Sequence, residues 1–390
     1  MSTRSAHKRH WKILLSAIAL CSGGLLSPAG AARLPPPDAV DFATAGDQLR
    51  THAQRYRTIA QSWRPLDAGA PLHPGQRTPR VAQLRKLLRS YGDYTGFPGP
   101  VQLRASDPQR FDAGVQYALE RYQRRHGLAV TGSADDATLA ELARPPAELA
   151  RLLELNASRW DKLPDAPGER YILVNIPEYQ LQLVEKQKVS LAMKTVVGKS
   201  SKRTPSMNSK VASVVFNPTW TVPRSILLTD LLPKARSNPE AMHKRGYRVV
   251  KYGTNNTNPI SEKGIESAAS GKATLRQIAG PGNTLGRVKF VVPNKQAIFL
   301  HDTQAQSLFE HHHRAFSHGC IRLEEPEELA YALLKPQGWD RTRVAQATTG
   351  DESVTIRVDN PPAVFITYLT AWVDPLGRVQ FRPDIYHLDR

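Results

Sequence analysis

The chain has 390 residues, and its 53 Lys and Arg against 35 Asp and Glu give a formal net charge of +18. A hydrophobic content of 40% excludes a disordered polyelectrolyte, and 30 prolines argue for many short loops rather than long helical bundles. Two cysteines, Cys21 and Cys320, are too few for a disulfide framework.

The first 31 residues read as an export signal. Arg4, Lys8, Arg9 and Lys12 form a basic start, and Ile13 to Leu26 is an apolar run too short to span a bilayer comfortably. Ala29-Gly30-Ala31 offers small residues for cleavage; an uncleaved N-terminal anchor is the alternative. Cleavage after Ala31 removes four positive charges and leaves 18 − 4 = +14. Such a surplus calls for an anionic partner. No nucleic-acid recognition motif is present, so an acidic polymer of the cell envelope is expected, with membrane contact only through the export signal.

Residues 32–78 comprise a stiff Pro35-Pro36-Pro37 linker and a helical pattern over 45–59. Residues 79–145 read as a small helical unit. Val81, Leu84, Leu87 and Leu88 recur at helical spacing, as do Val115, Leu119 and Tyr122, and a third helix carries Thr138, Leu139 and Leu142. The pattern Tyr122-Gln123-x-x-His126-Gly127-Leu128-x-Val130-x-Gly132, set between those helices, resembles the three-helix peptidoglycan-binding domain. Residues 146–168 are a helical connector ending at Pro164 and Pro167-Gly168.

From residue 169 to 390 the periodicity changes to two. Tyr171–Ile176, 180–184, 189–197 and Val211–Phe216 read as strands. Residues 224–285 form a long insert, with a helix over 226–235 followed by Gly/Asn/Ser-rich loops. An insert of that length inside a β domain suggests a functional insert or lid, with a tolerated surface insertion as the alternative. Lys289–Val292 and Ala297–His301 are strands, Pro326–Leu334 a helix, and Val354–Val358, Val364–Trp372 and Val379–Phe381 β segments.

Cys320 is the only cysteine that survives signal removal, so its thiol needs a role other than cross-linking. The reactive form of cysteine is the thiolate, which a nearby imidazole can generate. His301, at a strand end, is the candidate base, and Gly319 lets a carbonyl approach the backbone N–H groups of Gly319 and Cys320 as an oxyanion site. His311-His312-His313 is read as a solvated loop rather than a metal site, and no metal or cofactor is expected.

His301, fifteen intervening residues, and Ser317-His318-Gly319-Cys320 resemble the signature of the L,D-transpeptidases (YkuD-type). Asn217-Pro218-x-Trp220-x-Val222-Pro223 and Leu285-Gly286-Arg287-Val288-Lys289-Phe290 resemble its larger periplasmic branch. The resemblance implies an α+β chain: a mainly-β, sandwich-like catalytic domain with a lid-like insert, preceded by the helical domain. It implies Cys320 as nucleophile, His301 as general base, the Asp302 carbonyl orienting the imidazole, and His318 and Gly319 at the oxyanion region. Arg322 and Ser317, with Trp220 and Tyr252 as substrate walls, are the implied binding residues. The implied reaction, in the periplasm, cleaves the terminal D-Ala of a peptidoglycan tetrapeptide stem through a Cys320 thioester. An amine of another stem then takes the acyl group, giving a 3→3 cross-link; carbapenems would acylate the same thiol. An L,D-carboxypeptidase or amidase hydrolysing that thioester, and a non-catalytic wall-binding protein, remain open.

Overall fold

The computed structural model describes residues 38–95 and 107–390. The export signal, the Pro35-Pro36-Pro37 linker and residues 96–106 of the connection between the first two helices of the 79–145 unit lie outside the described residues.

Five helices open the described chain: α1 (Phe42–Ser62), α2 (Pro79–Tyr91), α3 (Ala113–Arg125), α4 (Asp136–Leu142) and α5 (Pro146–Trp160). Their ends follow capping chemistry. The Asp41, Asp112 and Asp135 carboxylates accept from the backbone N–H groups of Ala43, Val115 and Thr138 at the starts of α1, α3 and α4. Pro79 and Pro146 occupy first turns, where no N–H partner is needed. Gly92, at φ 84°, closes α2 in the left-handed conformation. α1 is longer at both ends than the 45–59 periodicity indicates, and it packs along α5.

Seventeen short strands follow. They are β1 (Arg170–Asn175), β2 (Gln180–Glu185), β3 (Lys188–Gly198), β4 (Met207–Lys210), β5 (Ser213–Phe216), β6 (Trp220–Thr221), β7 (Tyr247–Lys251), β8 (Thr257–Asn258) and β9 (Ala273–Gln277). Then come β10 (Val288–Val291), β11 (Leu300–His301), β12 (Ala315–Ser317), β13 (Ile321–Leu323), β14 (Val354–Arg357), β15 (Ala363–Thr367), β16 (Ala371–Val373) and β17 (Val379–Phe381). Eleven of them form one curled sheet in the order β14-β5-β10-β11-β13-β3-β2-β1-β15-β4, with β12 added to β3. The expected hairpin is β2–β3, its turn made by Lys186 and Gln187 at positive φ. Val364–Trp372 is not one segment: the chain leaves the large sheet after Thr367, and β16 pairs with β17 instead.

One face of the curled sheet and helix Pro326–Leu334 enclose a core of Ile172, Leu183, Val214, Phe290, Leu300, Ile321 and Leu333. The opposite side, at β1 and β15, is covered by the helices. Phe42 packs edge-on against Trp160 and Tyr171, and an aromatic chain runs from Tyr56 through Tyr91, Tyr122 and His126 to Phe381. A single hydrophobic cluster therefore continues from α1, α2, α3 and α5 into β1, β15, β16 and β17.

The 224–285 insert is more ordered than loops. The chain is helical over 224–237, with a wider turn at Leu227–Leu231, and further helices span Pro239–Lys244 and Glu262–Ala269. A separate sheet in the order β6-β9-β7-β8 completes it around its own core of Leu227, Leu231, Tyr247, Ile265 and Leu275. Its strands are short and polar (Thr274, Arg276 and Gln277 in β9), which hides them from a search for apolar alternation.

Candidate active site

The site is a row of side chains across three neighbouring strands. In the ladder, Lys289 of β10 lies opposite His301 of β11, and His301 lies opposite Arg322 of β13. Residues opposite one another share a face, so these three project together. Their neighbours in sequence, Val288, Phe290, Leu300, Ile321 and Leu323, are buried in the core on the other face. Phe299, two residues before His301, returns to the site face. Its ring meets the His301 ring edge-on at 5.6 Å and lies 4.2 Å beneath the Lys289 ammonium. The N–H of Ile321 donates to the Phe299 carbonyl at 3.1 Å, which sets Cys320 beside Phe299 at the head of β13.

His301 is buried, and its Nδ1 lies 2.5 Å from the Asp302 carbonyl oxygen. A carbonyl only accepts, so Nδ1 carries the hydrogen and Nε2 keeps its lone pair. Burial, then the positive charge of Arg322, lowers the imidazole to about 3, against the pull of the Asp302 and Leu285 carbonyls. His301 is thus neutral at neutral pH and free to take a proton. The Cys320 sulfur is half-buried, with the Ala297 carbonyl at 3.8 Å. Burial pushes its thiol up, while a backbone contact from Phe299 and the charges of Lys289 and Arg322 pull it down.

Asp302 holds the strand end through both its parts. Its carbonyl takes the imidazole, and its carboxylate accepts the N–H groups of Arg287 at 2.7 Å and Thr303 at 2.6 Å. That carboxylate occupies the space where a side chain on residue 286 would stand: a Cβ there would lie 2.2 Å from Asp302 Oδ2. Gly286, at φ +66°, is required on both counts.

The turn before Cys320 is braced from several directions. Ser317 Oγ donates to the Cys320 carbonyl at 2.5 Å and accepts the Gly319 N–H at 3.0 Å. Gly319 is at φ +118°, and its carbonyl accepts the Thr204 hydroxyl at 2.7 Å. The Thr204 hydroxyl in turn accepts the Gly198 N–H, and Tyr386 ties the same loop down by donating to the Gly198 carbonyl at 2.6 Å.

The geometry brings Cys320, His301, Asp302, Gly319 and Arg322 together and changes several expected roles. Ser317 is buried with its hydroxyl committed to the turn, so it is a brace and not a substrate contact. The Gly319 N–H is spent on Ser317, which leaves the Cys320 N–H as the backbone donor without a partner among the described residues. His318 points its Nε2 at Asp230 of the insert, 2.8 Å away, rather than at an oxyanion position. Trp220 is buried in the core of the insert against Tyr247 and forms no substrate wall. Tyr252 is exposed on the insert, and no hydrogen bond or ring contact links it to the site. Arg322 is half-buried, and its Nε has no hydrogen-bond partner among the described residues. His311, His312 and His313 are exposed, and among the described residues no group of His, Cys, Asp or Glu is placed to hold a metal. Lys289, Asp230, Thr204 and Tyr386 were not legible as site residues. The Leu285–Phe290 motif contained Lys289 without marking it, and the others act through pairings that only the fold creates.

Two stretches of the chain match known families. Residues 169–354 match the family model described as "L,D-transpeptidase catalytic domain", and residues 77–142 match "Putative peptidoglycan binding domain". A Haemophilus influenzae protein named "Putative L,D-transpeptidase" is 38% identical over 244 residues, 62% of this chain and 49% of that protein. The chain thus spans about half the length of that relative. Among solved structures, an L,D-transpeptidase from Mycobacterium smegmatis is 12% identical over 51% of this chain and 58% of its own, at a TM-score of 0.27. One from Xylanimonas cellulosilytica is 14% identical over 77% and 98%, at 0.24. At those scores the superpositions carry no argument about the site. Residues 169–354 are thus similar to the L,D-transpeptidase catalytic domain, and residues 77–142 ahead of them to the peptidoglycan-binding type.

Proposed function

We propose that this chain is a cell-wall cysteine acyltransferase acting on peptidoglycan stem peptides outside the cytoplasm. The observation that carries this reading is that Cys320 heads β13, the strand paired with β11, whose end carries a neutral His301 fixed by the Asp302 carbonyl. In the first step Cys320 Sγ attacks the carbonyl of the diamino acid of a tetrapeptide stem as its proton passes to His301 Nε2. The oxyanion faces the Cys320 N–H. The C–N bond to the terminal D-Ala then breaks, and its nitrogen leaves with the proton from His301. In the second step an amine of another stem attacks the thioester and restores the thiol, leaving a 3→3 cross-link.

The substrate class suits the molecule. The surplus of cations favours an acidic polymer, and the helical domain at 77–142 is of a wall-binding type. Among the described residues no helix is long and apolar enough to cross a membrane. The periplasm is the proposed location, with export by residues 1–31.

Purified protein incubated with tetrapeptide muropeptides and read by mass spectrometry tests the reading. The expected products are dimers that have lost D-Ala. Tripeptide monomers alone would reassign the chain as a hydrolase, and unchanged muropeptides would overturn both readings. Cys320→Ala is expected to abolish the dimers with the fold intact. An intact-mass shift on carbapenem treatment of the wild type, absent in that variant, is the second expected outcome.

A further inference from the structure

Two half-buried cations on the site face have no counterion. Lys289 sits over the Phe299 ring, and Arg322 projects from the other side of His301 with a buried Nε that has no partner among the described residues. Among the described residues neither forms an ion pair, whereas Arg125, Arg159 and Arg382 all do. The acidic groups near the site are engaged elsewhere. The Asp302 carboxylate faces the N–H groups of Arg287 and Thr303, and Asp230 is held by His318 with Lys199 nearby. Withdrawing two like charges partly from water on either side of one histidine without an anion is costly. Cys320 stands between them: it is two residues before Arg322 at the head of β13 and beside Phe299, whose ring carries the Lys289 ammonium, and its sulfur feels the charge of each.

We propose that Lys289 acts with Arg322 as a cationic bracket for Cys320, holding the negative charge that develops on sulfur as it attacks and again as the thioester is resolved. Lys289 is a positioning residue that works through the sulfur. This rests on the reading of Cys320 as the nucleophile. When the S–H bond breaks, its proton passes to His301 Nε2 and its electron pair forms the S–C bond. The bracket favours the sulfur anion and disfavours a charged imidazolium between two cations. A long-lived thiolate–imidazolium pair is therefore not the resting state, and His301 passes its proton on to the leaving amine without retaining it. The Phe299 ring gives the ammonium a second favourable contact and keeps it from swinging to solvent.

The test is the pH dependence of iodoacetamide alkylation of Cys320 in the full chain, for the wild type, Lys289→Met, Lys289→Arg and Arg322→Met. Loss of one nearby cation is expected to move the alkylation midpoint up by about one pH unit and to slow alkylation at neutral pH about tenfold. With muropeptides, kcat falls by a similar factor and KM stays unchanged, and Lys289→Arg restores both readouts. Thermal melts establish which variants fold; Arg322→Met, on the neighbouring strand, carries the same expectation if Lys289→Met does not. A raised KM with an unmoved alkylation midpoint would overturn the proposal, making the cations a seat for a substrate carboxylate. No change in either would overturn it too. A shifted midpoint in a protein inert towards muropeptides would leave the bracket standing and sink the transpeptidase reading instead.

Discussion

Ser317 serves two groups with one hydroxyl, giving its hydrogen to the Cys320 carbonyl and taking the Gly319 N–H. Its removal leaves both with no protein partner in a buried turn, at a cost of about 1–3 kcal/mol. Ser317→Ala is expected to lower the melting temperature by several degrees and to slow acylation by a carbapenem, followed by stopped-flow absorbance. Ser317→Thr keeps the hydroxyl and should keep most of the rate. Acylation at the wild-type rate in the alanine variant would show that the turn holds without it. At this scale the sequence was most readable for position, as with His301 at the end of a strand. It was least readable for Ser317, Trp220 and His318. Each belongs to a recognisable motif, but its side chain is spent on a turn, a core or a neighbouring element, and no spacing rule distinguishes those uses from substrate contact.

The insert reaches the nucleophile motif through the Asp230–His318 pair, and Asp230 sits in the wide helical turn Leu227–Leu231. Both side chains are about a third exposed, so the pair contributes little to global stability. Asp230→Asn should leave the melting temperature nearly unchanged and raise hydrogen exchange across 227–237, with slower turnover of muropeptides. Unaltered exchange there would mean that other contacts dock the insert. Hydrogen bonding to Thr229 and the charge of His318 hold the Asp230 carboxyl below its ordinary range, so the contact is present at neutral pH and weakens as acid protonates the carboxylate. The β2–β3 hairpin and helix Pro326–Leu334 were legible from alternation and from a proline start. The insert's sheet was not, because its strands take their order from a core assembled over sixty residues of sequence. Helix Arg341–Thr349, with only Val344 and Thr348 buried, carries too thin an apolar stripe to be read.

Across the whole molecule, the helices and the catalytic sheet share a continuous core, and one buried ion pair fastens them. Arg125 of α3 binds Asp93 through Nε at 2.8 Å and donates to the Val379 carbonyl of β17 at 2.8 Å. Asp93→Ala leaves a buried guanidinium unpaired and is expected to destabilise the chain by about 3–5 kcal/mol, read by urea unfolding. Unfolding should remain one transition; two separated transitions would show that the helices and the sheet fold independently. His126 lies in the same core, stacked between Tyr122 and Phe381, and burial lowers it to about 4. The unfolded chain therefore binds this proton first. Stability is complete above the ordinary imidazole range near 6.5 and falls as pH drops towards about 4, by at most about 1.4 kcal/mol per pH unit. His126→Phe should flatten that part of the stability–pH curve.

Tyr386 draws a distant part of the chain into the catalytic turn. Its hydroxyl holds Gly198 and accepts the N–H of Thr204, the residue that clasps Gly319. Synthesis delivers Cys320 before Tyr386. A chain interrupted between them carries the thiol and the histidine but lacks the hydroxyl that ties down Gly198 and Thr204. The loop from Gly198 to Thr204 thus gains these two hydrogen bonds only when residues far downstream have arrived.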